Sequence, residues 1–322
     1  MAGKVKSIIN KDRFLMDIST SDYKHTELKV SFQNSIRESL EYLSELTESN
    51  IDIPEITDFT WKTIASYYLA TIYAENDNRE QTINYLSAVS KEKKPDNGIQ
   101  IKPLDHKTID NFSLNLLYTI LERDDKGVRV GYFSANLDQE KNKISRSLDI
   151  LKQYDPVSFA EIECFIDTIY LTGATETSYI RSGCNFYMWG LILLYAEESN
   201  SIPYYIEHIV HECAHHALNV LNAHDQLVTN GFEERFDAPL RDDPRPMIGL
   251  FHAYFVLFRI FLTLNKLSKC GLNEYQVEIN SRKSEVLRKA LETGEIIKNN
   301  AKFTTLGKEL YDSIENKMAE FL

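Results

Sequence analysis

SIPYYIEHIVHECAHHALNVLN, residues 201–222, is the stretch around which the rest of the chain is organised. Ser201 stands where a helix N-cap belongs and Pro203 falls in the first turn, so the spacing predicts a helix from there to about Asn222. Inside it, His211-Glu212-Cys213-Ala214-His215 reads HExxH. Residues four apart lie one turn above another on a helix, so both imidazoles can face one ion. Neutral imidazole suits zinc, iron, copper or nickel, and the pair alone does not choose among them. Where this motif serves a metallopeptidase, the glutamate activates metal-bound water. The bland alternative is a histidine-rich polar face, since five of the eight histidines fall between 208 and 224. His208 reads as a packing residue or an outer neighbour of the pair, and His216 and His224 as ordinary polar residues.

Outward from this helix, FIDTIYLTG (165–173) and CNFYMWGLILLY (184–195) are rich in β-branched and aromatic residues and read as two strands. Further strand candidates are Ile99–Lys102 and Val128–Phe133, flanked by the solvated KEKKPDNG loop and a DDKG turn. Leu28, Phe32, Ile36, Leu40 and Leu43 repeat at helical spacing, as do Trp61, Ile64, Tyr68 and Ile72, and then Ile144, Leu148 and Leu151. After the motif, a polar loop spans 223–245 and Pro246 opens an apolar helix over 247–264. His252 and Arg259 interrupt that helix, which favours a buried core helix over a membrane span. The tail from about Asn273 is helical and charged. The expected fold is α+β, mostly α. A helical N-terminal half (1–154, a candidate peptide-recognition part) precedes a metal-site region (155–322) with a small sheet against the motif helix and a buried C-terminal helix. The two halves can equally form one compact unit.

Composition narrows the function classes. Lys plus Arg is 36 against 48 Asp plus Glu, a formal charge of −12, which disfavours a nucleic-acid partner. Four scattered cysteines form neither a disulfide framework nor a CxxC zinc site. The first residues carry no secretory pattern, and a reducing cytoplasm with no membrane association is the expectation.

A catalytic metal commonly takes three protein ligands and leaves open positions. Glu233, in NGFEERFD, and His252 are the two candidates for the third. With Glu233 the reading is a zinc metallopeptidase that uses Glu212 as base.

EHIVHECAHHAL (207–218) and RFDAPLRDDPRPMIGLFHAYFVLFRI (235–260) together resemble the HExxH-motif family found beside peptide natural-product genes. That family is described as 2-oxoglutarate-dependent peptide β-hydroxylases. The hallmark segments stand here as Leu240-Arg241, Pro244-Arg245-Pro246 and Gly249-Leu250-Phe251-His252. Leu240 replaces the usual tryptophan, and Ala253 a common glycine. The resemblance implies iron(II) on His211, His215 and His252, with 2-oxoglutarate on two open positions. It also implies an arginine for the far carboxylate, Arg245 before Arg241, because guanidinium offers a planar fork. Either arginine has a plainer reading as a surface ion pair with Asp242 or Asp243. Glu212 becomes a proton-handling neighbour rather than a ligand. The implied substrate is a ribosomally made precursor peptide. A third reading is a peptide-binding protein with a non-catalytic metal.

Overall fold

A computed structural model describes residues 18–89, 98–124, 130–176, 179–239 and 243–322. They divide into two compact units, each assembled from segments distant in sequence. The fold class is α+β and mostly α: about two-thirds helix with one small four-stranded sheet.

The sheet unit takes in 26–145 and 162–201. Its elements, in chain order, are α1 (His25–Leu46), α2 (Trp61–Glu75), α3 (Arg79–Val89), β1 (Gln100–Pro103) and α4 (Asn111–Asp124). Then come α5 (Leu137–Tyr154), α6 (Pro156–Phe165), β2 (Thr168–Thr172), β3 (Ser182–Cys184) and β4 (Leu191–Tyr195). Parts of α5 and α6 belong to the second unit.

Strand order is β1-β2-β4-β3, with β1, β2 and β4 parallel and β3 antiparallel at the edge. All five residues of β2 are buried, as are the first four of β4. Continuous burial without alternation marks strands covered on both faces, which is why TIYLT and LILLY are so uniformly apolar.

The stretch 184–195 is not one strand. Cys184 ends β3, and Asn185 then caps a short 3-10 turn, Phe186–Met188, by accepting from the Tyr187 N–H at 2.8 Å. Gly190, at φ +104°, redirects the chain into β4. Asp167 lies against that glycine and accepts the Trp61 N–H at 2.8 Å, so the turn also secures the start of α2. The strand expected over 128–133 is likewise absent from 130 onward, where Gly131 makes one isolated bridge to Gly173; residues 128 and 129 lie outside the described residues. The α1 stripe is buried as its spacing predicts. In α2 the buried line runs through Trp61, Ile64, Ala65 and Leu69, while Tyr68 sits at the rim, its ring stacked on Tyr187 at 3.5 Å.

The second unit, drawn from 1–25, 146–161 and 202–322, is helical. It contains α7 (Ile202–His224), α8 (Met247–Leu267), α9 (Gln276–Asn300) and α10 (Thr305–Ala319). α8 packs on α7 and on α9. It is long and apolar enough to cross a membrane, yet 72% of its most apolar window is buried, as for the core helix expected from His252 and Arg259.

Two polar clusters pin α8 from within. Asp155 accepts from Ser158 (2.8 Å), Thr263 (2.8 Å) and Lys266 (2.6 Å). Arg259, 3% exposed, donates to Glu161 and to the Ile18 carbonyl, and Tyr23 donates to the other oxygen of Glu161. Burial, then the Glu161 carboxylate, push the Tyr23 phenol well up, so it stays protonated and keeps donating.

Candidate metal centre

Burial along α7 isolates the motif. From Pro203 to Leu221 every residue is buried except Glu207, His211, His215 and Asn219, which are half-buried and four apart. That spacing turns by about 40° per step, so the four form one slowly drifting line that crosses about 120° of an otherwise enclosed helix. Asn222, also half-buried, continues it.

The Nε2 atoms of His211 and His215 stand 3.2 Å apart. With metal–nitrogen bonds of about 2.1 Å, that separation corresponds to roughly 100° at a shared ion, between octahedral and tetrahedral angles. The His252 ring lies nearly parallel to that of His215, centroids 5.8 Å apart. Burial first, then the His211, His252 and His216 rings, hold His215 well below the usual imidazole range. Burial lowers His252 to about 4. Both are therefore neutral near pH 7, the form in which imidazole can bind a metal. The donor set fits a divalent ion chemically. As they stand, no three His, Cys, Asp or Glu side chains among the described residues converge closely enough to enclose one.

Around the pair, the remaining candidates sort by environment. Glu212 is buried and brings Oε1 to 3.8 Å from Nε2 of His211. His208 is buried and packs on the Tyr204 ring at 4.3 Å, with its own ring 6.2 Å from His211. His216 is fully buried and lies off the half-buried line. Glu233 is exposed in the loop after α7. Its neighbour Glu234 is the engaged one, accepting the Gly231 N–H at 2.7 Å and pairing with Lys302 at 3.0 Å.

Arg245 pairs backbone to backbone with Phe236, closing the loop just before α8. Its Nη2 lies 2.9 Å from Asp243, so the plain ion-pair reading is realised in part. Its Nε is buried without a hydrogen-bond partner among the described residues. Leu240, Arg241 and Asp242 lie outside the described residues.

The sequence reading passed over Asn219 and Asn222. Their signal was available: four and seven residues beyond His215, both belong to its line.

No protein-family model matches the chain, and no curated protein does.

Proposed function

We propose that the chain is an iron(II)- and 2-oxoglutarate-dependent oxygenase that hydroxylates the β-carbon of a residue in a ribosomally made peptide in the cytoplasm. The observation that carries this reading is the His252 imidazole beside the His211/His215 pair, while Glu233 is exposed in its loop. Three imidazoles on a divalent ion leave open positions for cosubstrate and oxygen. The bound iron and 2-oxoglutarate would supply oxygen activation coupled to decarboxylation.

The chain's own residues do the rest. His211 and His215, fixed on one buried helix, set the first two coordination directions. His252 adds the third from α8. The Nε edge of Arg245 accommodates the far carboxylate of the cosubstrate. Glu212, nearly excluded from water, holds or takes up a proton at the edge of the site.

The test uses the full chain titrated anaerobically with iron(II), followed by incubation with 2-oxoglutarate, oxygen and neighbouring-gene peptides, read by mass spectrometry. The expected result is succinate together with a peptide heavier by one oxygen, both lost in His252→Ala and kept in Glu233→Gln. A zinc-loaded protein that cleaves peptide, tolerates His252→Ala and fails in Glu233→Gln would replace this reading with hydrolysis.

A further inference from the structure

Packing contacts fix the register of α7 against α8. Ile206 and Val210 line one small gap with Ile260, Thr263 and Leu264, and further along α7 His215 meets His252. The helices are therefore antiparallel: progress toward the end of α7 is progress toward the start of α8. One turn beyond His215, Asn219 comes level with Ile248 and Gly249; the next brings Asn222 level with Arg245.

That level carries two buried polar atoms without hydrogen-bond partners among the described residues, Oδ1 of Asn222 and Nε of Arg245. Buried polar atoms in folded proteins are almost always paired, so two orphans at one level point to a polar ligand between them. Gly249 lies between them and His252, on the half-buried side of α8. The nearest atoms to a Cβ built there would be Arg245 Cβ at 3.8 Å and the Pro246 ring carbons at 3.8 and 3.9 Å, ordinary contacts. No close approach demands glycine at this helical position, where alanine is the better helix former. What the glycine leaves is a step without a side chain on α8, between His252 and Arg245.

We infer that Asn222 is the second anchor of a carboxylate subsite, beside the Nε edge of Arg245, reached from His252 across Gly249. A half-turn of the amide exchanges Oδ1 for Nδ2, so the same position donates to a carboxylate oxygen. The identity of the ligand as 2-oxoglutarate rests on the proposed function; the two unpartnered atoms and their shared level rest on the geometry.

The experiment is anaerobic calorimetric titration of the iron(II)-loaded full chain with 2-oxoglutarate, and with succinate as a simpler dicarboxylate. Asn222→Ala is expected to weaken 2-oxoglutarate binding about tenfold, the scale of one hydrogen bond to a charged group. Asn222→Asp, which sets carboxylate against carboxylate, is expected to weaken it more than Asn222→Ala does, and Gly249→Val to abolish it. Iron(II) affinity should stay at the wild-type value in all three, and the unfolding temperature should stay there in the alanine and valine variants. If Asn222→Asp does not fold, the alanine and valine variants decide. Wild-type affinity in the Asn222 variants, or an equal loss of iron affinity, would overturn the second anchor while leaving the oxygenase reading intact. Failure of the iron-loaded wild type to bind 2-oxoglutarate would overturn both.

Discussion

Arg259→Met tests how α8 is held. Arg259 and Glu161 are both almost wholly excluded from solvent, at 3% and 1% exposure. Removing the guanidinium leaves a buried carboxylate with the Tyr23 hydroxyl still donating to it, and strips the Ile18 carbonyl of its Arg259 donor. Breaking a buried pair by deleting one partner costs about 3–5 kcal/mol, mostly from the charge left behind. For a unit of this size that is a fall of the order of 10 °C in Tm. The double variant Arg259→Met/Glu161→Gln removes the stranded charge yet keeps an acceptor for Tyr23, so it should recover more than half of the loss. The exposed Arg288, which pairs with Glu285 and Glu292, is the control: Arg288→Ala should leave Tm within replicate scatter. Thermal and urea unfolding of the four proteins give the answer. A Tm within 2–3 °C of wild type for Arg259→Met, or a double variant no more stable than the single (a recovery of less than about 0.5 kcal/mol), would refute the reasoning.

Gly190→Ala should destabilise the sheet unit. Its φ of +104° disfavours a side chain by about 1–3 kcal/mol, and the new Cβ would sit 2.6 Å from the Asp167 oxygen that holds the Trp61 N–H; urea unfolding measures the loss. Thr60→Ala removes one half of the capping box at the start of α2, the Thr60 hydroxyl that accepts a backbone N–H of the first turn, and leaves the residue-60 N–H donating to the Thr63 hydroxyl; it should cost about 1 kcal/mol in the same assay. Added divalent metal should raise Tm by the equivalent of about 2.7 kcal/mol at a free concentration of 100 Kd. His211→Ala should abolish that shift in a calorimetric scan, and an equal shift in the variant would place the ion elsewhere.

How far the sequence could be read depended on the range of the interaction. The motif helix was legible because HExxH spacing and continuous apolar flanks are local properties, and α7 runs from Ile202 to His224 with the histidine pair together. Although no helix was expected there, α4 carries a stripe of the same kind in Leu116, Leu117, Ile120 and Leu121. α6 does not: ten residues of PVSFAEIECF are too short and too evenly apolar to show a helical period. The break at 185–190 hid for a different reason. Its signal is one asparagine cap and one glycine at positive φ, set within a run whose composition is that of a strand. Choosing between Glu233 and His252 was beyond local pattern altogether, because it depends on how α8 lies against α7.

That packing gives Arg259 a second consequence. His252 and Arg259 are seven residues apart, two turns, and so lie on nearly the same side of α8. The outer residue is half-buried beside His215, while the inner one is locked between Glu161 and the Ile18 carbonyl. Rolling α8 to bring His252 closer to the pair would pull Arg259 out of its buried partners, at the several-kcal/mol cost reckoned above. On the proposed reading, closure of the three imidazoles around an ion would therefore fall to rotation of the His252 side chain, with the helix backbone held in place. An apolar helix anchored by one charge deep in its length has the means to hold a histidine at a fixed height.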